Sequence, residues 1–157
     1  MILISSGDTQ TSKNILTKDY ISKAIQKLKD FAYDELYVLV DFVYESEECS
    51  FGADINDPVS PELIGDIEIG NDLALEEQYY ALIHELGHAF LYANKVEPKD
   101  VVLLETLAWC EGLKITTNLG LQVNERKFRE QMMHALLLYD AEAKKKVYGF
   151  FVDDRQN

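Results

Sequence analysis

The chain has 157 residues, 47% of them hydrophobic, which suits a single domain over residues 1–157 with a buried core. Its 28 acidic and 15 basic residues give a formal net charge of −13, a sign that repels nucleic-acid phosphates and anionic membranes. We therefore expect no direct nucleic-acid binding and no membrane association. The sequence has neither an apolar run long enough for a membrane span nor a signal-peptide pattern, so we expect a cytoplasmic protein.

The first third of the chain predicts two strands and a helix. Residues 2–5 form a short apolar run that predicts the first strand. Thr17 is a candidate N-cap, and apolar residues then recur at helical spacing as far as Ala32. Residues 36–44 are almost continuously apolar and rich in β-branched and aromatic types, which predicts a strand covered on both faces at the centre of a sheet.

An acidic loop and a further strand follow. A loop as long as residues 45–61 often borders a functional site or hides a short strand, here around residues 50–55. Residues 63–71 alternate isoleucine with acidic residues or glycine, which predicts a half-exposed or edge strand. Such a strand is either a plain sheet edge or a surface that pairs with an extended peptide. The candidate substrate-binding residues are Ile67, Glu68 and Ile69.

Three helices are predicted in the second half of the chain. The first begins near Asp72 and ends at Asn94, because Pro98 cannot continue a helix. The second covers about residues 99–118, and Asn124 is the candidate cap of the third. The apolar run at residues 147–152 is expected to pack on the domain or on a partner. The predicted fold is α+β, with a small mixed sheet packed against about four helices.

The first of these helices contains the pattern His-Glu-x-x-His. A step of four residues places His84 and His88 on one helix face, so both rings can bind one Zn²⁺, although other divalent ions also suit such ligands. Glu85 flanks that face and is the candidate general base. Gly87 allows a neighbouring element to approach the helix closely. The pattern predicts a zinc hydrolase, and its structural alternative is a helix with two hydrogen-bonded histidines.

The third metal ligand must come from another element. If the helices on either side of Pro98 are antiparallel, residues at equal distances before and after the turn lie side by side. The residue level with the motif is therefore the one that lies as far after the turn as His88 lies before the turn. Counting from Val96 leads to Glu105, and His, His, Glu is a known ligand set of catalytic zinc sites. The remaining candidates are His134, Glu111 and Asp100.

Two patterns of the chain carry a resemblance, His84-Glu-Leu-Gly-His88-Ala-Phe and the later Glu105-x-x-Ala108-Trp109. Over roughly residues 67–114, the chain resembles the ImmA/IrrE family of zinc metallopeptidases. The resemblance implies a zincin-like fold of the gluzincin type, with zinc on the two histidines and Glu105 and with Glu85 catalytic. It also implies a bacterial or phage protein that cleaves a regulatory protein, often a helix-turn-helix repressor. The chain departs from longer family members because it has no recognisable DNA-binding or sensor domain.

The sequence therefore predicts a zinc endopeptidase acting on a basic or regulatory protein substrate. One alternative is a non-catalytic acidic binding protein, such as an inhibitor that imitates DNA, with a structural or vestigial metal site. Another is a zinc hydrolase of a non-peptide amide. A peptidase also needs a hydrogen-bond donor for the oxyanion. His134 is one candidate, and the sequence does not distinguish among the tyrosines Tyr79, Tyr80, Tyr92 and Tyr139.

Overall fold

The computed structural model describes residues 15–53 and 62–139, which form an α+β arrangement of four helices and a three-stranded mixed sheet. This confirms the predicted α+β class with a small mixed sheet and about four helices. The predicted strand at residues 2–5, part of the acidic loop and the apolar run at residues 147–152 lie outside the described residues. The elements are α1 Lys18–Leu36, β1 Val38–Val43, β2 Ser50–Ala53, β3 Gly65–Gly70, α2 Leu75–Ala93, α3 Val101–Asn118 and α4 over residues 125–139.

The sheet has the strand order β1-β3-β2, with β3 parallel to β1 and antiparallel to β2. β3 is the central strand, so the edge strand predicted at residues 63–71 is wrong. Ile67 and Glu68 are paired on both sides and have no free backbone edge, while the side chain of Ile69 is fully buried. Ile67 and Glu68 therefore lack the open edge that their predicted role in peptide pairing requires, and the side chain of Ile69 is not accessible to a substrate.

Within the described part of the sheet, β1 flanks the central strand β3 and does not have the central position that the sequence predicted. Its side chains alternate, because Val38 and Val40 are buried whereas Leu39 and Asp41 are exposed. Alternation of this kind means that helices cover one face of the sheet and solvent reaches the other. The prediction that this strand is covered on both faces is therefore wrong.

α2 is the central helix, as predicted, since it contacts α1, α3, β2 and β3. It begins at Leu75, and its N-cap residue Ala74 makes no side-chain capping bond, so Asp72 is not the cap that the sequence predicted. The side-chain amide of Gln78 instead donates hydrogen bonds to the Asn71 and Leu73 carbonyls just before the helix.

Predicted caps elsewhere are present. The Thr17 hydroxyl accepts a hydrogen bond from the Tyr20 N–H at the start of α1, and the Asn124 side chain accepts one from the Lys127 N–H in α4. Among the described residues no helix is long and apolar enough to cross a membrane.

Candidate functional site

α2 and α3 form an antiparallel pair whose backbones approach closely at two glycines. A Cβ atom on Gly87 would lie only 2.5 Å from the carbonyl carbon of Ala108, and one on Gly112 would overlap the Ile83 carbonyl. The contact predicted at Gly87 is therefore present. Because the two contacts lie one helical turn apart and involve backbone atoms, they fix both the spacing and the register of the pair.

That register brings His84 and His88 of α2 against Glu105 of α3. Glu105 Oε2 lies 2.9 Å from His84 Nε2 and 3.2 Å from His88 Nε2, and the two Nε2 atoms are 3.2 Å apart. All three side chains are largely buried, with 9–17% of their surface exposed. Two imidazoles and one carboxylate with ligand atoms this close form a group that could hold a metal ion.

The separations of these atoms match a single small cation. Ligands at the usual zinc distances of about 2.0–2.1 Å stand about 3.3 Å apart around a tetrahedral ion. The three measured separations are slightly shorter, and they need only a small outward shift to reach that value. The donor types also suit zinc, which binds neutral imidazole and carboxylate oxygen.

The rival third ligands lie elsewhere. Glu111 pairs with Lys114 at 3.1 Å, and the Asp100 carboxylate accepts the Leu103 N–H as the N-cap of α3. His134 is exposed on α4. Among the described residues, the group that could hold a metal ion contains neither these two carboxylates nor this imidazole.

The charge of Glu105 is stabilised by the two histidines. Burial opposes ionisation, but the hydrogen bonds and charges of His84 and His88 outweigh it and lower the pKa of Glu105 to about 2. For His88, burial acts to lower the pKa, whereas the hydrogen bond with Glu105 and the charges of Glu85 and Glu105 raise it more strongly. The carboxylate is thus held in the ionised form that a cation needs.

Glu85 lies beside this cluster and is 7% exposed. Burial raises its pKa, while the two histidines and a hydrogen bond from the Phe51 N–H act in the opposite direction. A carboxylate with a raised pKa accepts a proton more readily near neutral pH, which is the property required of a general base.

An aromatic stack supports His84 from behind. Its ring lies parallel to that of Trp109, with the centroids 4.3 Å apart and a 25° interplanar angle, and Trp109 in turn meets the Phe128 ring edge-on at 5.4 Å. Trp109 follows Glu105 by one helical turn, so both side chains lie on one face of α3. That face therefore supplies the Glu105 carboxylate and also the ring that packs against His84. The sequence singled out Trp109 only as part of the pattern Glu105-x-x-Ala108-Trp109 and did not reveal the stack.

The cluster opens into a cavity of about 460 Å³. One wall is β2, an edge strand of the described sheet, which contributes Ser50, Phe51 and Ala53. The predicted short strand in the acidic loop therefore exists and borders the cluster. Cys49 also lines the cavity, and burial together with the charge of Glu85 raises the pKa of its thiol despite a hydrogen bond from Gly70.

α4 contributes Tyr139 to the cavity. Burial, followed by the charges of Glu105 and Glu85, raises the pKa of Tyr139, so the hydroxyl keeps its proton. His134 does not line this cavity, so the predicted oxyanion donor lacks the position that its role requires. Tyr79 and Tyr80 are also directed elsewhere, to the Gln122 carbonyl and the Glu76 carboxylate.

Comparison with protein-family models, with curated proteins and with solved structures gives no match. The resemblance to the ImmA/IrrE family consequently stays a prediction made from the motif residues.

Proposed function

We propose that this protein is a zinc-dependent endopeptidase. The observation that carries the proposal is the convergence of His84, His88 and Glu105 in an open cavity, with the buried Glu85 carboxylate beside them. Catalytic zinc sites hold the ion with three protein ligands and leave a position open, whereas structural sites are closed by four. A zincin-like fold belongs to the same proposal and rests on the motif together with the packing of α2 against α3.

Each residue of the cluster has a defined task. His84, His88 and Glu105 would hold the ion, which supplies a lowered pKa for a water molecule and polarises the carbonyl that the water attacks. Trp109 keeps the His84 ring oriented through its stack. The close contact at Gly87 keeps Glu105 within reach of both imidazoles.

Glu85 moves the proton in the reaction. As the water oxygen bonds to the carbonyl carbon, the electron pair of the C=O bond moves onto the carbonyl oxygen and Glu85 takes a proton from the water. When the C–N bond breaks, Glu85 returns that proton to the leaving nitrogen, which gives a carboxylic acid and an amine. Its burial next to the ligands supports this assignment.

A basic or regulatory protein is the proposed substrate. Glu85, Glu105 and Glu97 line the cavity, and the chain carries a formal net charge of −13, so Lys- or Arg-rich segments are attracted to it. β2 takes over the peptide-pairing role that the sequence assigned to β3, because it is an edge strand of the described sheet and borders the cluster.

The alternative of an acidic inhibitor with a structural metal has less support. A structural ion needs a closed ligand set, and the cluster opens into a cavity instead. The alternative of a non-peptide amide hydrolase uses the same residues and differs only in substrate.

A cleavage screen tests the proposal. The protein is stripped with a chelator, reloaded with Zn²⁺ and incubated with an undigested proteome, and new peptide termini are counted by mass spectrometry. We expect cleavage that depends on zinc and falls by about 100-fold or more in Glu85→Gln, which removes the general base. Glu111→Gln is the matched control, since this carboxylate lies on α3 outside the cluster. Zinc-loaded wild type that produces no new termini would refute the endopeptidase proposal.

A further inference from the structure

Glu97 is the cavity carboxylate that the proposed chemistry leaves without a task. It lines the same cavity as the metal cluster, but it belongs to the turn between α2 and α3 and is exposed. Among the ion pairs of the described residues none includes Glu97, although Lys95 and Lys99 lie two residues away on either side. Its charge is therefore available to a positively charged group that enters the cavity.

The turn holds Glu97 at a defined place beside the two helices. Lys95 has a left-handed φ of +58°, and the Val96 N–H donates to the Leu91 carbonyl at 2.9 Å, a hydrogen bond that closes the end of α2. Asp100 caps the start of α3 three residues after Glu97. Because both helix ends next to Glu97 are closed by hydrogen bonds, its backbone position follows from the packing of α2 against α3.

Apolar side chains line the part of the cavity that lies toward this turn. They come from α2, the turn, α3 and β2 and comprise Leu91, Tyr92, Val96, Leu104 and Phe51. The rings of Tyr92 and Phe51 meet with their centroids 5.7 Å apart, so helix and sheet both contribute to this wall. A wall of this kind removes an aliphatic stem from water, which favours long side chains over short polar ones.

The distance from the cluster to the turn suits one class of side chain. α2 rises about 7.5 Å over the five residues from His88 to its last residue, Ala93. An extended lysine side chain spans about 6 Å from Cα to Nζ, and a hydrogen bond to a carboxylate adds about 2.8 Å. A lysine or arginine next to the scissile bond can therefore bring its charged end to Glu97.

We propose that Glu97 makes the cavity selective for lysine or arginine at a position adjacent to the bond that is cleaved. This proposal rests on the proposed function and names the side chain that the cavity recognises. Glu97 binds the charged end, and the apolar wall packs against the stem. This selectivity differs from the general attraction caused by the net charge of −13, because it acts at one position of the substrate and depends on one carboxylate.

Peptides that differ only at this position provide the first test. A peptide that zinc-loaded wild type cleaves next to lysine is compared with the same peptide carrying norleucine, which keeps the stem and removes the charge. We expect kcat/KM of wild type to fall by about three- to tenfold on this change, as for one partly exposed charged pair. Glu97→Gln should cleave both peptides equally.

Glu35→Gln is the matched control for this comparison. Glu35 is exposed on α1 and does not line the cavity, and its replacement changes the net charge by the same amount. The control should discriminate between the two peptides as wild type does. A lysine preference that survives in Glu97→Gln, or that Glu35→Gln loses as completely, would overturn the proposal.

Two hydroxamates test the same pairing without turnover. N-acetyl-lysine hydroxamate and N-acetyl-norleucine hydroxamate carry the same metal-binding group and differ only in the side-chain amine, and calorimetry gives their dissociation constants for the zinc-loaded protein. We expect wild type to bind the lysine compound about three- to tenfold more tightly and Glu97→Gln to bind both alike. Wild type that binds both equally, or neither, would overturn the proposal. A preference for the lysine compound in a protein that cleaves no peptide would support the role of Glu97 and refute the peptidase function alone.

Discussion

The spacing between α2 and α3 should control metal affinity, and Gly87→Ala is the substitution that tests this. The added Cβ would overlap the Ala108 carbonyl oxygen, and it would lie 2.5 Å from the carbonyl carbon, whereas ordinary contact begins at 3.4 Å. The helices must therefore part by at least about 0.9 Å near Glu105, several times the tolerance of about 0.2 Å that metal–ligand distances allow. We expect zinc affinity to fall by about 100-fold or more, at least as much as when an outer hydrogen-bond partner of a ligand is lost.

The effect of Gly87→Ala on the free energy of unfolding has two parts, one in the metal-free protein and one that depends on bound zinc. Without metal, overpacking costs about 1–3 kcal/mol, and about 1 kcal/mol of this is regained because alanine favours a helix over glycine. With zinc at 100 times the wild-type Kd, the ion stabilises wild type by about 2.7 kcal/mol. A hundredfold weaker site would reduce this gain to about 0.4 kcal/mol.

Urea unfolding of both proteins, with a chelator and with zinc, measures these two parts separately. Gly120→Ala is the control, since Gly120 has a φ of +74° and no atoms near its added Cβ, so it should cost about 1 kcal/mol through backbone strain without changing the zinc-dependent gain. The reasoning is refuted if Gly87→Ala keeps the full stabilisation by zinc, because the close backbone contact would then not set the ligand spacing.

Three further predictions follow from particular contacts. Tyr80→Phe should destabilise the protein by about 1–3 kcal/mol in urea, because the buried hydroxyl donates to Glu76 at 2.6 Å and accepts the Asn124 N–H at 3.0 Å; unchanged unfolding would contradict this. Asp100→Ala should cost about 1 kcal/mol by removing the cap of α3, and a cost as small as that of an exposed substitution would show that the cap contributes nothing. Zinc affinity should decrease as the pH falls through the raised pKa of His88, by about tenfold per pH unit for one competing proton. The loss should begin above pH 6.5, and competition titrations that show constant affinity from pH 8 to 6 would contradict it.

The cluster of His84, His88 and Glu105 could be predicted from the sequence because its geometry is local. A four-residue step fixes His84 and His88 on one face of a helix, and the short connection after α2 makes counting through the turn an adequate way to find Glu105. The close contacts at Gly87 and Gly112 explain why that counting works, since they prevent the two helices from sliding.

The sheet could be predicted only in part. Alternation of Ile67 with Glu68 reports that one face of a strand is covered, and this pattern is the same for a central strand and an edge strand. Strand order depends on contacts between distant segments, which periodicity does not encode. The continuous apolar run of β1 was similarly ambiguous, because Leu39 is apolar and yet exposed.

The sequence could not choose between His134 and Tyr139 as candidate oxyanion donors, because the positions of both depend on how α4 packs. His134 and Tyr139 lie five residues apart, so they are about 140° apart around the helix, and of the two only Tyr139 reaches the cavity.

The cap of α2 was mispredicted for a different reason. Asp72 is a favourable cap by residue type, but the Gln78 side chain hydrogen-bonds the carbonyls before the helix.

X-ray absorption spectroscopy of the zinc-loaded protein tests the central claim, that His84, His88 and Glu105 hold one metal ion, most directly. We predict one zinc per chain, with nitrogen and oxygen ligands at about 2.0–2.1 Å that include two imidazoles. Glu105→Gln should change this spectrum or lose the metal, whereas Glu111→Gln should leave it unchanged. A sulfur ligand at about 2.3 Å, or a protein that retains no zinc, would contradict the account.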